Sequence, residues 1–346
     1  MPNPSAHEGE PNLAPAVFTV NVNNLRLRQS PGANGKELAK LREGALLKDL
    51  GAVSDFTTKV KFRGILFDEP WLKVQMEDGL QGWVYAGGLR FDSNHPGQIV
   101  QQLHQKRLQA MFGQELSQRV LQYRNAYQDT KNDREMAQVY LEGSALRDTL
   151  VDLLEKHIAI DDYNQLPDLF WLEEALPGLV TALVAEGTIY YLFFDYKQLL
   201  AKVQTTEGAA DDAFVELCLQ TYDLDSIEHF FPSWLMQTWD YGGHSLLGKG
   251  IHTQILKTMD NLIKAKNPFE VEILNLKEQL IADIVHKGVS YWEPQAAIVQ
   301  ELTALLKSNW TILSPQEQKA LQERLKQFEN PEAHAIQVNL RSGIEQ

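Results

Sequence analysis

Cys218 is the first place to look for a nucleophile, since it is the chain's one cysteine. A reactive thiolate needs a nearby cation or helix start and a histidine within reach. The run Phe214-Val215-Glu216-Leu217-Cys218-Leu219 is apolar instead, so Cys218 reads as a buried, inert thiol. A lone cysteine also rules out an intrachain disulfide. Zinc chemistry would need close ligand pairs such as His-Glu-x-x-His. The nine histidines are scattered, with His244 and His252 the nearest pair in the C-terminal part and Glu228-His229 standing alone. No catalytic residue, metal or cofactor is assigned.

Gly243-His244-Ser245-Leu246-Leu247-Gly248-Lys249-Gly250 approaches the phosphate-binding pattern GxxxxGK[ST]. Its last position is glycine where a magnesium-binding hydroxyl belongs, and the preceding residues 234–241 do not read as a buried strand. A glycine-rich loop between helices is the expectation. Asp161-Asp162, Glu173-Glu174 and Asp211-Asp212 could supply an acid and a base, but neighbours on a helix point about 100° apart. Such pairs suit caps and solvated faces. Residues 151–250 also hold 15 of the 32 aromatics, including Phe170-Trp171, Tyr190-Tyr191, Phe193-Phe194, Phe230-Phe231, Trp234 and Trp239. Aromatics beside carboxylates suit either a large core or a groove for sugar or peptide. A divergent cell-wall hydrolase sited in this segment is therefore the alternative functional reading.

The elements that must position these residues differ along the chain. At 346 residues, two or three domains are expected. Residues 151–250 carry 17 acidic against 4 basic side chains, nearly all of the net charge of −14. That field would repel a phosphate backbone, which argues against nucleic acid as a partner. The longest apolar run, 179–194, contains Glu186 and is too short to cross a bilayer. Residues 1–16, rich in Pro, Asn and Glu, read as a tether with neither a basic nor an apolar leader region. Before residue 92 the apolar period is two; after it the period is near 3.6. Ile99, Leu103, Leu108, Met111-Phe112, Leu116, Val120, Tyr123 and Tyr127 form one stripe, followed by Leu150, Leu153 and Leu154. Segment 179–200 is read as helical after Pro177. Asn267-Pro268 and Ser314-Pro315-Gln316-Glu317 are helix starts, the second a capping box.

Residues 24–89 carry the strongest pattern. Leu25 and Leu27 alternate with Arg26 and Arg28, as on a strand buried on one face. Ser30-Pro31-Gly32 breaks it, Trp71-Leu72-Lys73-Val74 restarts an extended segment, and Asp78-Gly79 marks a hairpin before Gly82-Trp83-Val84-Tyr85. The order of these pieces resembles the bacterial SH3-like (SH3b) family over about 70 residues. Segment 51–70, with Phe62, Ile65 and Phe67 flanking Arg63-Gly64, lengthens the usual connection into an added hairpin or ordered loop.

The expected architecture is thus α+β and multidomain: a tether (1–16), a small SH3-like β-barrel (17–92), a large all-α domain (93–330) and a tail (331–346). The resemblance implies a non-catalytic, envelope-associated protein, periplasmic or on the cell envelope and without a membrane span. Its partner would be a cell-wall component or a protein or peptide ligand. A cytoplasmic location is the alternative. Trp71, Trp83 and Tyr85 are the candidate contacts, with Phe62 and Phe67 as a neighbouring wall. Tyr85 shares a strand face with Trp83, and its hydroxyl needs solvent or a polar partner.

Overall fold

The structure is a computed structural model that describes residues 14–92, 95, 97–160, 162–164, 166–184, 189–222, 231–237 and 242–343. Most of the expected tether, together with Asp161, Glu186, Glu228, His229, Phe230 and Trp239, lies outside the described residues. The rest divides into two compact units. One comprises the chain up to Gln128 with Glu142–Phe193, and the other Asp129–Leu141 with the chain from Phe194 onward.

The first unit begins with seven strands: β1 (Val17–Val20), β2 (Leu25–Arg28), β3 (Glu37–Leu41), β4 (Leu46–Phe62), β5 (Ile65–Gln75), β6 (Gln81–Tyr85) and β7 (Leu89–Phe91). They form one antiparallel sheet in the order β3-β2-β6-β5-β4-β1-β7. The expected barrel is therefore wrong: the sheet is open. Closure would need β3 to pair with β7, but among the described residues β7 is paired only with β1. The free edge of β3 carries Glu37 and Lys40, charged residues suited to a solvent-facing edge.

Segment 51–70 is an added hairpin made by the far halves of β4 and β5, in register from Thr57↔Pro70 to Phe62↔Ile65. Its turn uses Arg63 at φ 45° and Gly64 at φ 81°, the left-handed pair that a two-residue hairpin requires. Gly64 has a second constraint. A Cβ there would sit 1.6 Å from the Ala159 carbonyl oxygen, and the Ala159 amide donates to Gly64 O at 3.3 Å. The hairpin tip is thereby fastened to the segment after the second helix. As expected, Asp78-Gly79 turns β5 into β6, with Gly79 at φ 88° and Leu80 N–H donating to Asp78 Oδ1 at 3.0 Å.

Helix α1 (Gln98–Asp129) is broken at Gly113, whose φ of 79° and ψ of 172° are not helical. Most of the predicted stripe is its buried face, Leu103, Leu108, Met111, Phe112, Val120, Tyr123 and Tyr127, while Ile99 and Leu116 are half-buried. Arg107 leaves that face to form a buried bidentate pair with Glu69 of β5, tying helix to sheet. Helix α2 (Asp133–His157) buries Leu150 and Leu154 as predicted, while Leu153 is half-buried.

An all-α C-terminal part is also wrong. After α3 (Phe170–Ala175) come β8 (Leu179–Val184) and β9 (Ile189–Phe194), paired as a two-stranded sheet. Val180, Thr181, Val184, Ile189, Tyr190, Tyr191 and Phe193 are β-branched or aromatic, and that content outweighs the helical reading of 179–200. Helices α4 (Tyr196–Val203) and α5 (Ala210–Thr221) follow, then a short ladder of β10 (Leu235–Gln237) and β11 (Gly243–Ser245). Helices α6 (Ile251–Lys264), α7 (Glu270–Val285), α8 (Gln295–Lys307) and α9 (Pro315–Gln327) complete the second unit. The capping box at α9 is present, with both Ser314 and Glu317 bonds made. The second unit's core contains Tyr140 stacked on Phe194 at 4.2 Å and Phe214 stacked on Phe269 at 4.1 Å. No helix among the described residues is long and apolar enough to cross a membrane.

Candidate functional site

β2, β4, β5 and β6 together wall a groove of about 220 Å³ in the first unit. Trp71 and Tyr85 face each other as register partners on β5 and β6, their rings edge-on at 5.7 Å. Phe62, at the end of β4, brings its ring within 5.8 Å of Tyr85. Val22, Leu25 and Val60 extend this apolar floor. Thr58 locks the two larger rings: its hydroxyl accepts from Trp71 Nε1 at 3.0 Å, and its carbonyl accepts from the Tyr85 hydroxyl at 2.6 Å. The Tyr85 oxygen also accepts the Glu69 amide at 3.3 Å. Burial is the main cause of the upward shift of the Tyr85 phenol, so it stays neutral. Tyr85 therefore meets its polar need inside the protein rather than in solvent.

The groove brings together three of the five predicted residues. Trp83 lies opposite Lys73 and Arg28 in the ladder, half-buried, and does not line it. Phe67 is buried in a second cavity of about 160 Å³, beside Glu69, Arg107, Met111 and Trp171. There the Arg107 guanidinium lies 5.3 Å from the Phe67 ring centre and 4.6 Å from that of Phe91.

Sequence reasoning missed Arg26 and Arg28, which line the groove beside the aromatics. The Arg28 guanidinium lies 5.9 Å from the Trp71 ring centre, and its Nη1 donates to Gly35 O at 2.6 Å. Its Nε is closed off from solvent and has no acceptor. Arg26 pairs with Glu37 at 3.3 Å across exposed surface. The signal was in the Leu-Arg-Leu-Arg alternation, which sends both arginines off the leucine face. Nothing in the sequence ties that face to Trp71.

The other candidates turn inward. Cys218 is buried, and burial pushes its thiol well above the usual range, against a nucleophilic role. His252 and Ser245 both hydrogen-bond Asp283 Oδ2, at 2.7 and 2.6 Å. Ser245, His252 and Asp283 thus meet, but the serine faces the carboxylate instead of the imidazole, and Ser245 and His252 are fully buried. His244 goes elsewhere, bonding Ser290 at 2.7 Å and stacking on Trp292. Among the described residues no cluster of histidine, cysteine and carboxylates could hold a metal.

The glycine loop before α6 does cradle an anion, but that anion is a side chain of the protein. The amides of Gly248, Gly250 and Thr253 donate to Glu301 at 2.6, 2.8 and 3.1 Å, and the Thr253 hydroxyl adds a fourth bond at 3.0 Å. A carboxylate from α8 occupies the place where a phosphate would lie. Of the acidic pairs, Asp211 accepts from Thr206 at 2.6 Å and from the Asp212 amide at 3.0 Å. Glu173 accepts from the Thr181 amide and hydroxyl at 2.9 and 2.5 Å. Asp211 thus ties the first turn of α5 to the loop before it, and Glu173 ties α3 to β8.

Compared with known proteins, the chain matches no family model, and no curated protein or solved structure is significantly similar to it.

Proposed function

We propose that this is a non-catalytic, envelope-associated binding protein whose N-terminal sheet, residues 17–92, recognises a cell-wall or peptide ligand. The observation that carries the reading is the groove of Phe62, Trp71 and Tyr85 with two arginines at its side. Rings held rigid by Thr58 offer large contact area at little entropic cost. Similarity of residues 24–89 to the bacterial SH3-like family supplies the envelope location and the ligand class. The rival, a hydrolase within 151–250, has less support, because Asp211 and Glu173 there are engaged in hydrogen bonds within the protein.

The test is binding of the purified full chain to soluble cell-wall fragments and to wall-derived peptides, measured by calorimetry. Phe62→Ala should weaken binding on the order of tenfold, since it removes a half-buried ring from the floor. Trp83→Ala should leave affinity near that of the parent once folding is confirmed by thermal melting. Equal loss in both variants, or none in either, overturns the assignment of the groove. Turnover of wall fragments would establish the hydrolase instead.

A further inference from the structure

The chain is strongly acidic overall, with a net charge of −14, yet among the described residues no aspartate or glutamate lines the groove, and two arginines do. Arg28 makes no ion pair with any described residue, and its hydrogen bond is to a neutral carbonyl, Gly35 O. Its Nε is shielded from solvent and, among the described residues, has no acceptor, so the charge of this guanidinium is little compensated within the protein. Trp71 and the Gly35 bond hold the guanidinium in place, so little side-chain freedom remains to be lost on binding. Arg26 is tied to Glu37 only by an exposed pair, 55% and 37% accessible, which exchanges partners at little cost.

We propose that the groove seats an extended peptide that presents a carboxylate to Arg28 and lays an adjacent apolar side chain on Phe62 and Val60. This inference rests on the reading of the groove as a ligand seat and adds the ligand's charge. A guanidinium fork and a carboxylate match in geometry as well as sign. The apolar floor asks for an uncharged side chain next to that acid, which sets the peptide apart from a bare anion.

The experiment uses the full chain and three synthetic peptides. Two are acetyl-Ala-Ala-Leu-Ala-Ala as the free acid and as the amide; the third is acetyl-Ala-Ala-Leu-Glu-Ala amide. Calorimetry should show at least one acidic peptide binding on the order of tenfold tighter than the neutral amide, with an advantage that shrinks as salt rises. Which acidic peptide wins tells a terminal from a side-chain carboxylate. Arg28→Gln should erase the preference and Arg28→Lys retain part of it, with thermal melts confirming that both variants fold. The inference is overturned if the neutral amide binds equally well, if Arg28→Gln leaves the preference intact, or if no peptide binds. It is also overturned if inorganic phosphate or a short thymidine oligonucleotide displaces the acidic peptide at lower concentration than the peptide's own. Should the neutral peptide bind equally and Phe62→Ala still weaken it, the groove remains a ligand seat. If neither peptides nor wall fragments respond to Phe62→Ala, both readings end.

Discussion

Arg28 and Arg107 are two arginines against the same β4–β5 hairpin, each over an aromatic ring, and they are treated in opposite ways. Arg107 is buried, is clamped to Glu69, and gives a further bond to the Ala86 carbonyl at 2.9 Å. Among the described residues Arg28 has no carboxylate partner, and its buried Nε has no acceptor. Two similar chemical groups thus mark a strut and an open contact. The comparison teaches that compensation, more than residue type, separates structural charge from charge available to a partner.

Breaking the compensated side should have the largest effect. Arg107→Met strands the Glu69 carboxylate in the core and should cost about 3–5 kcal/mol in urea unfolding. Adding Glu69→Met should recover most of that loss, because the uncompensated charge goes with it. A loss that persists in the double variant would mean that packing rather than charge holds this contact.

Glu301→Ala extends the comparison to the second unit. It orphans three amides and the Thr253 hydroxyl, and roughly 2–4 kcal/mol should be lost in the same measurement. If stability is unchanged, the loop does not depend on the carboxylate it surrounds.

The neighbourhood of Arg107 yields a smaller, pH-dependent effect. His104 is buried, and both its ring nitrogens lack a hydrogen-bond partner. Burial first, then the nearby positive charges of Arg124 and Arg107, lower its pKa to about 3. The unfolded chain takes up a proton near the ordinary value of 6.5, and the folded chain does so only near 3. Stability contributed by the neutral ring is thus fully present above the unfolded value and falls as pH drops between those limits. His104→Leu should flatten that slope in unfolding curves taken from pH 7 to pH 4. An unchanged slope would assign the acid sensitivity to other groups.

Arg28→Gln should have the smallest effect on stability, about 1 kcal/mol or less from one hydrogen bond and one cation–π contact. A loss as large as that of Arg107→Met would make Arg28 a strut too, and the contrast would vanish.

Local chemistry was legible in the sequence, and distant pairing was not. Asp78-Gly79, the β2 alternation and the Ser314–Glu317 box depend on neighbours in the chain, and each is where the pattern put it. Trp71 and Tyr85 were nameable as candidates, but their joining through Thr58 depends on a register spanning β4 to β6. Arg28 reaches Trp71 across 43 positions, and Glu301 reaches Gly248 across 53. No periodicity reports such meetings. Strands β8 and β9 were missed for a different reason: the run after Pro177 was read as one helix, although its β-branched and aromatic residues favour strand. The open edges of the sheet depend on which strand claims β7, a tertiary choice.

The Glu301 cradle also bears on how the protein opens. The first turn of α6 can be completed only when α8 has arrived, since α8 brings the carboxylate that three amides near that turn require. In hydrogen exchange, the Gly248, Gly250 and Thr253 amides should therefore report the undocking of α8 rather than local fraying, and lose protection together. A loop that the sequence marks only as glycine-rich becomes a latch, released by a helix roughly fifty residues away.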